Sequence, residues 1–148
     1  LMSTFIPWPF KKDFRKYPVP WTAFTDPEVS HVGMGEKELN AKGISYIVTQ
    51  LPYSEYGGAT VQGACTGYIK VYSSALGKIY GVSIVGQNSG EMINEWSLAI
   101  QQKLRLFDVM MTMHSFPTIG FLNKRAGEMW MMKTVKKPLM QKLLSWMR

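Results

Sequence analysis

A chain of 148 residues, 46% of them hydrophobic, is long enough to bury one real core and too apolar to stay disordered. No run in it approaches the roughly 18 apolar residues that span a bilayer, and its one cysteine, Cys65, excludes an internal disulfide and an all-cysteine metal site. The formal net charge of +7 belongs to the ends: Lys11, Lys12, Arg15 and Lys16 against Asp13, then Lys133, Lys136, Lys137, Lys142 and Arg148 against no acid, which leaves the centre near neutral and unlike a nucleic-acid surface.

The start, LMSTFIPWPFKK, carries its charges after its apolar part, the reverse of a signal peptide, so a cytoplasmic location is expected. It opens on Leu1, from which we expect a piece of a longer protein. Residues 1–17, with Pro7, Trp8, Pro9, Phe10 and Tyr17, read as an arm or linker: the prolines preclude a helix and favour extended chain laid on another surface.

Val19 to Thr25 reads as a short strand turned by Asp26-Pro27-Glu28, and Val29 to Met34 as a second, with Gly33 and Gly35 marking tight backbone. Glu36 to Lys42 reads as a short helix anchored by Leu39 and ended by Gly43 in the left-handed region. Ile44 to Leu51 is the next strand, with Ile44, Tyr46 and Val48 on one face. Pro52, Gly57, Gly58 and Gly63 make residues 52–65 a loop.

Residues 66–104 carry the organising core. Ile69 and Val71 alternate with Tyr68, Lys70 and Tyr72, the period of a half-buried strand. Ser73, Ser74 and Gly77 turn the chain, and Ile79 to Val85, apolar on both faces, reads as a central strand. Asn88 and Glu91 have the capping-box spacing. Ile93, Trp96, Ile100 and Leu104 then form a helical stripe that folds back onto the sheet.

Leu106 to Met113 predicts a short helix. Pro117 breaks it, and Thr118 can cap the next helix, which Phe121, Leu122, Arg125, Met129 and Met132 mark. Pro138 can open a last helix, with Leu139, Met140, Leu143, Leu144 and Met147 on one face and Gln141, Lys142, Ser145 and Arg148 on the other. The expected fold class is α+β: an antiparallel sheet with helices on one side, plus this C-terminal amphipathic helix. The expected layout is the arm, a domain over 18–130 and a basic helical extension over 131–148.

No phosphate-cradling glycine loop is present: Gly33-Met34-Gly35 is a turn, and Gly86 begins no GxGxxG. Glu91 is assigned to capping and Glu95 to a solvated face. His31 reads as structural. His114 stands near Met110, Met111 and Met113, a set that could suit a soft metal, but core or interface filling is the preferred reading and no metal is assigned. Cys65 reads as a small buried apolar residue. The last helix packs on this domain, on a second subunit or on an absent domain; alternatively it lies on an anionic membrane with Trp146 at the interface.

Taken together, Val19-Pro20-Trp21-Thr22-Ala23-Phe24-Thr25-Asp26-Pro27-Glu28-Val29-Ser30, with Val32-Gly33 and Glu36, resembles the opening of the C-terminal dimerisation domain of pyridine nucleotide–disulfide oxidoreductases, the family of dihydrolipoamide dehydrogenase, glutathione reductase and mercuric reductase. Gly67-Tyr68-Ile69-Lys70-Val71, Gly77-Lys78-Ile79-Tyr80-Gly81, and Ile84-Val85-Gly86 followed by Gly90-Glu91 and Ile93 match that family's hairpin and helix in order. Phe116-Pro117-Thr118 falls where the family has a His-Pro-Thr corner.

The resemblance implies a two-fold homodimer, with FAD- and NAD(P)-binding domains and a redox cysteine pair upstream in the complete enzyme. No cofactor is expected in these 148 residues themselves. Thiol-handling members place a His just before the Pro and a Glu a few residues on, an acid/base pair at the partner subunit's active site. Here Phe116 and Phe121 hold those positions, so no catalytic residue is assigned. His114, Phe116, Pro117 and Thr118 are the expected corner facing the partner's flavin. Mercuric reductases also lack that His, but they carry a C-terminal cysteine pair that MQKLLSWMR does not contain. The expected function is the homodimerisation domain of an FAD-dependent NAD(P)H oxidoreductase, with itself and the absent domains as partners and no nucleic acid. The alternative is a small basic binding module attached to an anionic membrane surface through its C-terminal helix, which would make the protein peripheral to the membrane.

Overall fold

The computed structural model describes residues 17–135. The expected C-terminal amphipathic helix and most of the N-terminal arm lie outside these residues. Five strands form one antiparallel sheet: β1 (Trp21–Ala23), β2 (Val29–Gly33), β3 (Ile47–Pro52), β4 (Gly67–Ser73) and β5 (Ile79–Gly86). Their spatial order is β1-β2-β5-β4-β3, which puts the doubly apolar β5 in the middle, as its composition predicts. Five helices complete the described part: α1 (Glu36–Ala41), α2 (Gly57–Val61), α3 (Ser89–Gln101), α4 (Leu106–Met111) and α5 (Phe121–Val135).

Side-chain alternation divides the sheet into two faces. Ser30, Ile84, Ile69 and Leu51 pair across four strands in one row, and Val32, Val82, Val71 and Thr49 in the next. All eight are buried, because α3 packs on β2 and β5 while α5 packs on β3 and β4. Each large apolar side chain buried this way stabilises the fold by about 1.5–3 kcal/mol. The opposite face carries the row Trp21, His31, Ser83, Lys70 and Gln50, none of them fully buried. One backbone crossing on this sheet tolerates no side chain. A Cβ on Gly33, where φ is +83°, would meet the Tyr80 carbonyl oxygen at 2.4 Å, and one on Gly81 would meet that of Met34 at 2.3 Å.

Helix ends follow local chemistry in some places and long-range contacts in others. Gly43, at φ +61°, closes α1 as expected: its N–H donates to Asn40 and that of Ile44 to Leu39. The expected capping box on α3 is absent. Asn88 is left-handed, at φ 61°, and its side chain makes no cap bond. Glu28, in the β1–β2 turn, caps the helix instead: its Oε2 accepts from the Gly90 N–H at 3.3 Å and the Ser89 hydroxyl at 3.4 Å. A carboxylate there also suits the helix N-terminus.

The α3 stripe is Met92, Ile93, Trp96 and Ala99, with Ile100 partly buried. Leu104 does not join it. Lys103 takes the left-handed C′ position, the Leu104 N–H donates to Ala99, and the Leu104 side chain is partly exposed.

Residues 52–65 are not an open loop. A 3₁₀ turn (Tyr53–Glu55) and α2 sit there, and Tyr53, Tyr56 and Ala59 enter the core. Ala64 is buried and Cys65 is exposed, the reverse of the reading that put the thiol inside. Met132 is exposed, and α5 presents Leu122, Ala126 and Trp130 to the core. Gly127 lets α5 lie against α4: a Cβ there would stand 2.9 Å from both the Leu106 carbonyl oxygen and the Met110 Cβ.

Candidate functional site

The connection from α4 to α5, residues 112–120, forms the corner that the sequence singled out. Asp108 Oδ2 accepts from the Arg105 N–H at 2.7 Å to open α4, and the Thr112 N–H closes it on Asp108. The ammonium of Lys124 on α5 donates to the Met110 carbonyl oxygen and, at 3.4 Å, to that of Thr112, where a helix C-terminus favours a cation. The chain then turns at a cis Phe116–Pro117 bond. The Thr118 hydroxyl donates to Ser115 at 2.8 Å instead of capping α5; the Thr118 carbonyl takes the Phe121 N–H. From α2's C-terminal end, Gln62 Nε2 donates to the Pro117 carbonyl oxygen at 3.1 Å.

The corner's outer surface is apolar. Phe116 is 71% exposed and Met113 91%. Phe116 meets the edge of Phe121 at 5.3 Å between ring centroids, and Phe121 stacks on Tyr56 at 5.7 Å. Burial pushes the Tyr56 phenol above its usual range, against a smaller opposing pull from Arg125. Neither benzyl ring carries a transferable proton, and Phe116 and Phe121 form a packing pair.

Beneath the rings runs a polar seam. His114 Nε2 lies 2.9 Å from Glu95 Oε1, and the Asn123 amide donates to Glu95 Oε2 at 2.7 Å. That amide also donates to the Met92 carbonyl, and the buried Trp96 indole N–H donates to Asn123 Oδ1 at 2.8 Å. A shallow cleft beside the seam is lined by Gln62, Glu91, Glu95, His114 and Thr118, among others.

His114, Phe116, Pro117 and Thr118 are thus brought together in one corner, with Phe121 behind them. Sequence reasoning missed Glu95, which is bound to His114 and Asn123 instead of standing on a solvated face. It also missed Asn123 and Gln62. The available signal was Trp96: a core indole needs an acceptor for its N–H, and Asn123, buried on α5 beside Leu122, supplies it. His31 sits far along the sheet, with Nδ1 2.9 Å from the Ser83 hydroxyl and Nε2 3.0 Å from the Gly33 carbonyl oxygen. Among the described residues no three His, Cys, Asp or Glu side chains gather in a metal-binding group, and no helix is long and apolar enough to cross a membrane.

Residues 19–125 match the family described as pyridine nucleotide-disulphide oxidoreductase, dimerisation domain. Dihydrolipoyl dehydrogenase of Buchnera aphidicola (subsp. Acyrthosiphon pisum, strain APS) is 37% identical over 108 residues, 72% of this chain and 23% of that protein. Dihydrolipoyl dehydrogenase of Vibrio cholerae serotype O1 is 36% identical over 102 residues, 68% of this chain and 22% of that protein. This chain therefore spans less than a quarter of the length of either relative. The HOCl-induced flavoprotein disulfide reductase RclA from Escherichia coli shares the fold, with a TM-score of 0.72 at 22% identity, over 83% of this chain and 28% of that one.

Proposed function

This chain belongs to the pyridine nucleotide-disulphide oxidoreductase dimerisation-domain family, and from that premise we propose that its work is self-association within a larger FAD- and NAD(P)-dependent oxidoreductase. Residues 18–130 are the pairing domain in this reading, residues 1–17 an arm toward the absent domains, and residues 131–148 an extension. The cofactors are held by parts outside these 148 residues, and the whole enzyme is cytoplasmic.

One observation supports the reading above the others: the corner over residues 112–120 presents Phe116 to the outside over Phe121. An exposed benzyl ring packed on a second ring suits burial against a second subunit. It cannot relay a proton. We infer that the corner shapes the partner's flavin site and excludes water there, and that the electron acceptor needs no acid/base from Phe116 or Phe121. Attachment to an anionic membrane through residues 138–148 is a separate property that pairing does not require.

Sedimentation equilibrium of the 148-residue chain tests the assembly. A reversible dimer is expected, weakened by Phe116→Asp, which places a charge in an apolar contact. A folded monomer at every concentration overturns it. The chain should also be colourless, so copurifying flavin would contradict the division of labour proposed.

A further inference from the structure

His114 is held by two groups that can only accept. Its side chain is 9% exposed. Nδ1 lies 3.0 Å from the Thr112 carbonyl oxygen, and Nε2 lies 2.9 and 3.1 Å from the two Glu95 carboxyl oxygens. A carbonyl oxygen accepts, and so does an ionised carboxylate. Both contacts are hydrogen bonds only if both ring nitrogens carry protons, or if the Glu95 carboxyl supplies the second one. In either form the pair holds one proton more than a neutral imidazole beside a carboxylate. Remove that proton and one of the two contacts becomes a lone pair facing a lone pair.

The neighbours do not supply the missing donor. Asn123 of α5 already gives its amide to Glu95 and to Met92. Lys124 of α5 gives its ammonium to Met110 and Thr112. Glu91 of α3 lines the same cleft and adds negative charge. Gln62, Ser115 and Thr118 are uncharged, the Phe121 ring stands edge-on to the imidazole at 6.3 Å, and the Tyr56 phenol lies behind Phe121. Both ring nitrogens are turned to the chain's own acceptors and neither to the cleft. The imidazole is therefore a positioning group, not a proton donor to a ligand.

We propose that the His114–Glu95 contact is a proton-dependent latch that ties the 112–118 corner to α3 and thereby sets the strength of self-association, a proposal that rests on the interface reading above. With the proton bound, the corner that carries Phe116 is held in one geometry, and pairing costs less ordering entropy. With the proton lost, the corner loosens. Association is tight at lower pH and weakens as pH rises through the titration of the pair.

The test is sedimentation equilibrium of the 148-residue chain between about pH 5.5 and 8.5, a window in which side-chain carboxylates, phenols and lysine ammonium groups ordinarily do not titrate. The α-amino group and free thiols such as Cys65 ordinarily titrate toward its upper end, so Cys65→Ser and an N-acetylated chain are run beside the wild type. The wild-type dissociation constant should rise roughly tenfold or more across it. The chain has two histidines, so His31→Gln is the control and should keep the profile. His114→Ala should flatten it at the weak level. Glu95→Gln should flatten it at the tight level, because a glutamine amide donates to the neutral ring while its oxygen still accepts from Asn123. A profile that survives Glu95→Gln, or that disappears with His31→Gln, overturns the latch.

If the wild type does not associate at any pH, the interface reading fails and the latch is judged alone. Ring nitrogen shifts of His114 and amide exchange over residues 112–120 then decide. Protection of these amides, taken relative to intrinsic exchange at each pH, that falls as the ring loses its proton supports the latch. Protection indifferent to that event overturns it. Should His114→Ala fail to fold, the same NMR comparison of wild type with Glu95→Gln decides in its place: protection that loses its pH dependence in Glu95→Gln supports the latch, and protection that keeps it overturns the latch.

Discussion

The open face of the sheet and the α4–α5 corner each hold one histidine with both ring nitrogens engaged, yet the two are chemically unlike. His31 faces a carbonyl on one side and the Ser83 hydroxyl on the other. A hydroxyl can donate or accept, so a neutral His31 satisfies both contacts by rotating one O–H. His114 faces a carbonyl and a carboxyl group and lacks that freedom. The difference lies in partner chemistry more than in burial. A histidine whose two neighbours can only accept cannot satisfy both contacts as a neutral ring, and the proposed latch rests on that.

The largest expected effect comes from removing the floor under one of the two sites. Trp96 is fully buried, and its indole N–H fixes the Asn123 side chain on which Glu95 depends. Trp96→Ala should lower the unfolding free energy by about 3–5 kcal/mol, read by chemical denaturation. It should also loosen the corner while leaving the His31–Ser83 contact in place. Equal disturbance of both histidines in NMR spectra would mean that the two regions are not separable.

Asn123→Ala is the finer version of the same cut. It leaves the buried indole N–H without its acceptor and takes one of two contacts from Glu95 Oε2, and should cost about 1–3 kcal/mol. It also marks where sequence reasoning stopped. The strands were legible because Ile69 and Val71 repeat every second residue, and α1 because Leu39 and Gly43 signal within one turn. What failed was anything that depends on partners far along the chain. Glu28 caps α3 from 62 residues away, so the nearby Asn88 and Glu91 looked sufficient. Glu95 finds His114 across 19 residues and Asn123 across 28, so by itself it looked like an ordinary surface carboxylate. In residues 52–65 the glycines read as loop, while Tyr53 and Tyr56 carry the information that the segment is buried. The Phe-Pro-Thr run drew attention to the corner, but nothing in it announced the polar seam beneath.

The smallest effect is expected on the open face, where charges meet in solvent. Glu36 accepts from Lys70 at 3.2 Å and from the Tyr46 hydroxyl at 3.2 Å. The Lys70 hydrogen bond, then that of Tyr46, then the Lys70 charge hold its carboxyl below the usual range, with Glu36 in turn raising Lys70. A depressed carboxylate contributes stability above its unfolded value and loses it as pH falls through the folded one. That places any contribution from Glu36 at the acid end. Lys70→Met should move the Glu36 carboxyl toward its ordinary value in a carbon-13 NMR titration and barely shift the denaturation midpoint, since exposed pairs contribute little. The pH profile of association should not change. If it does, the open face reports on the corner, and the contrast between the two histidines must be traced through the sheet instead of through their immediate partners.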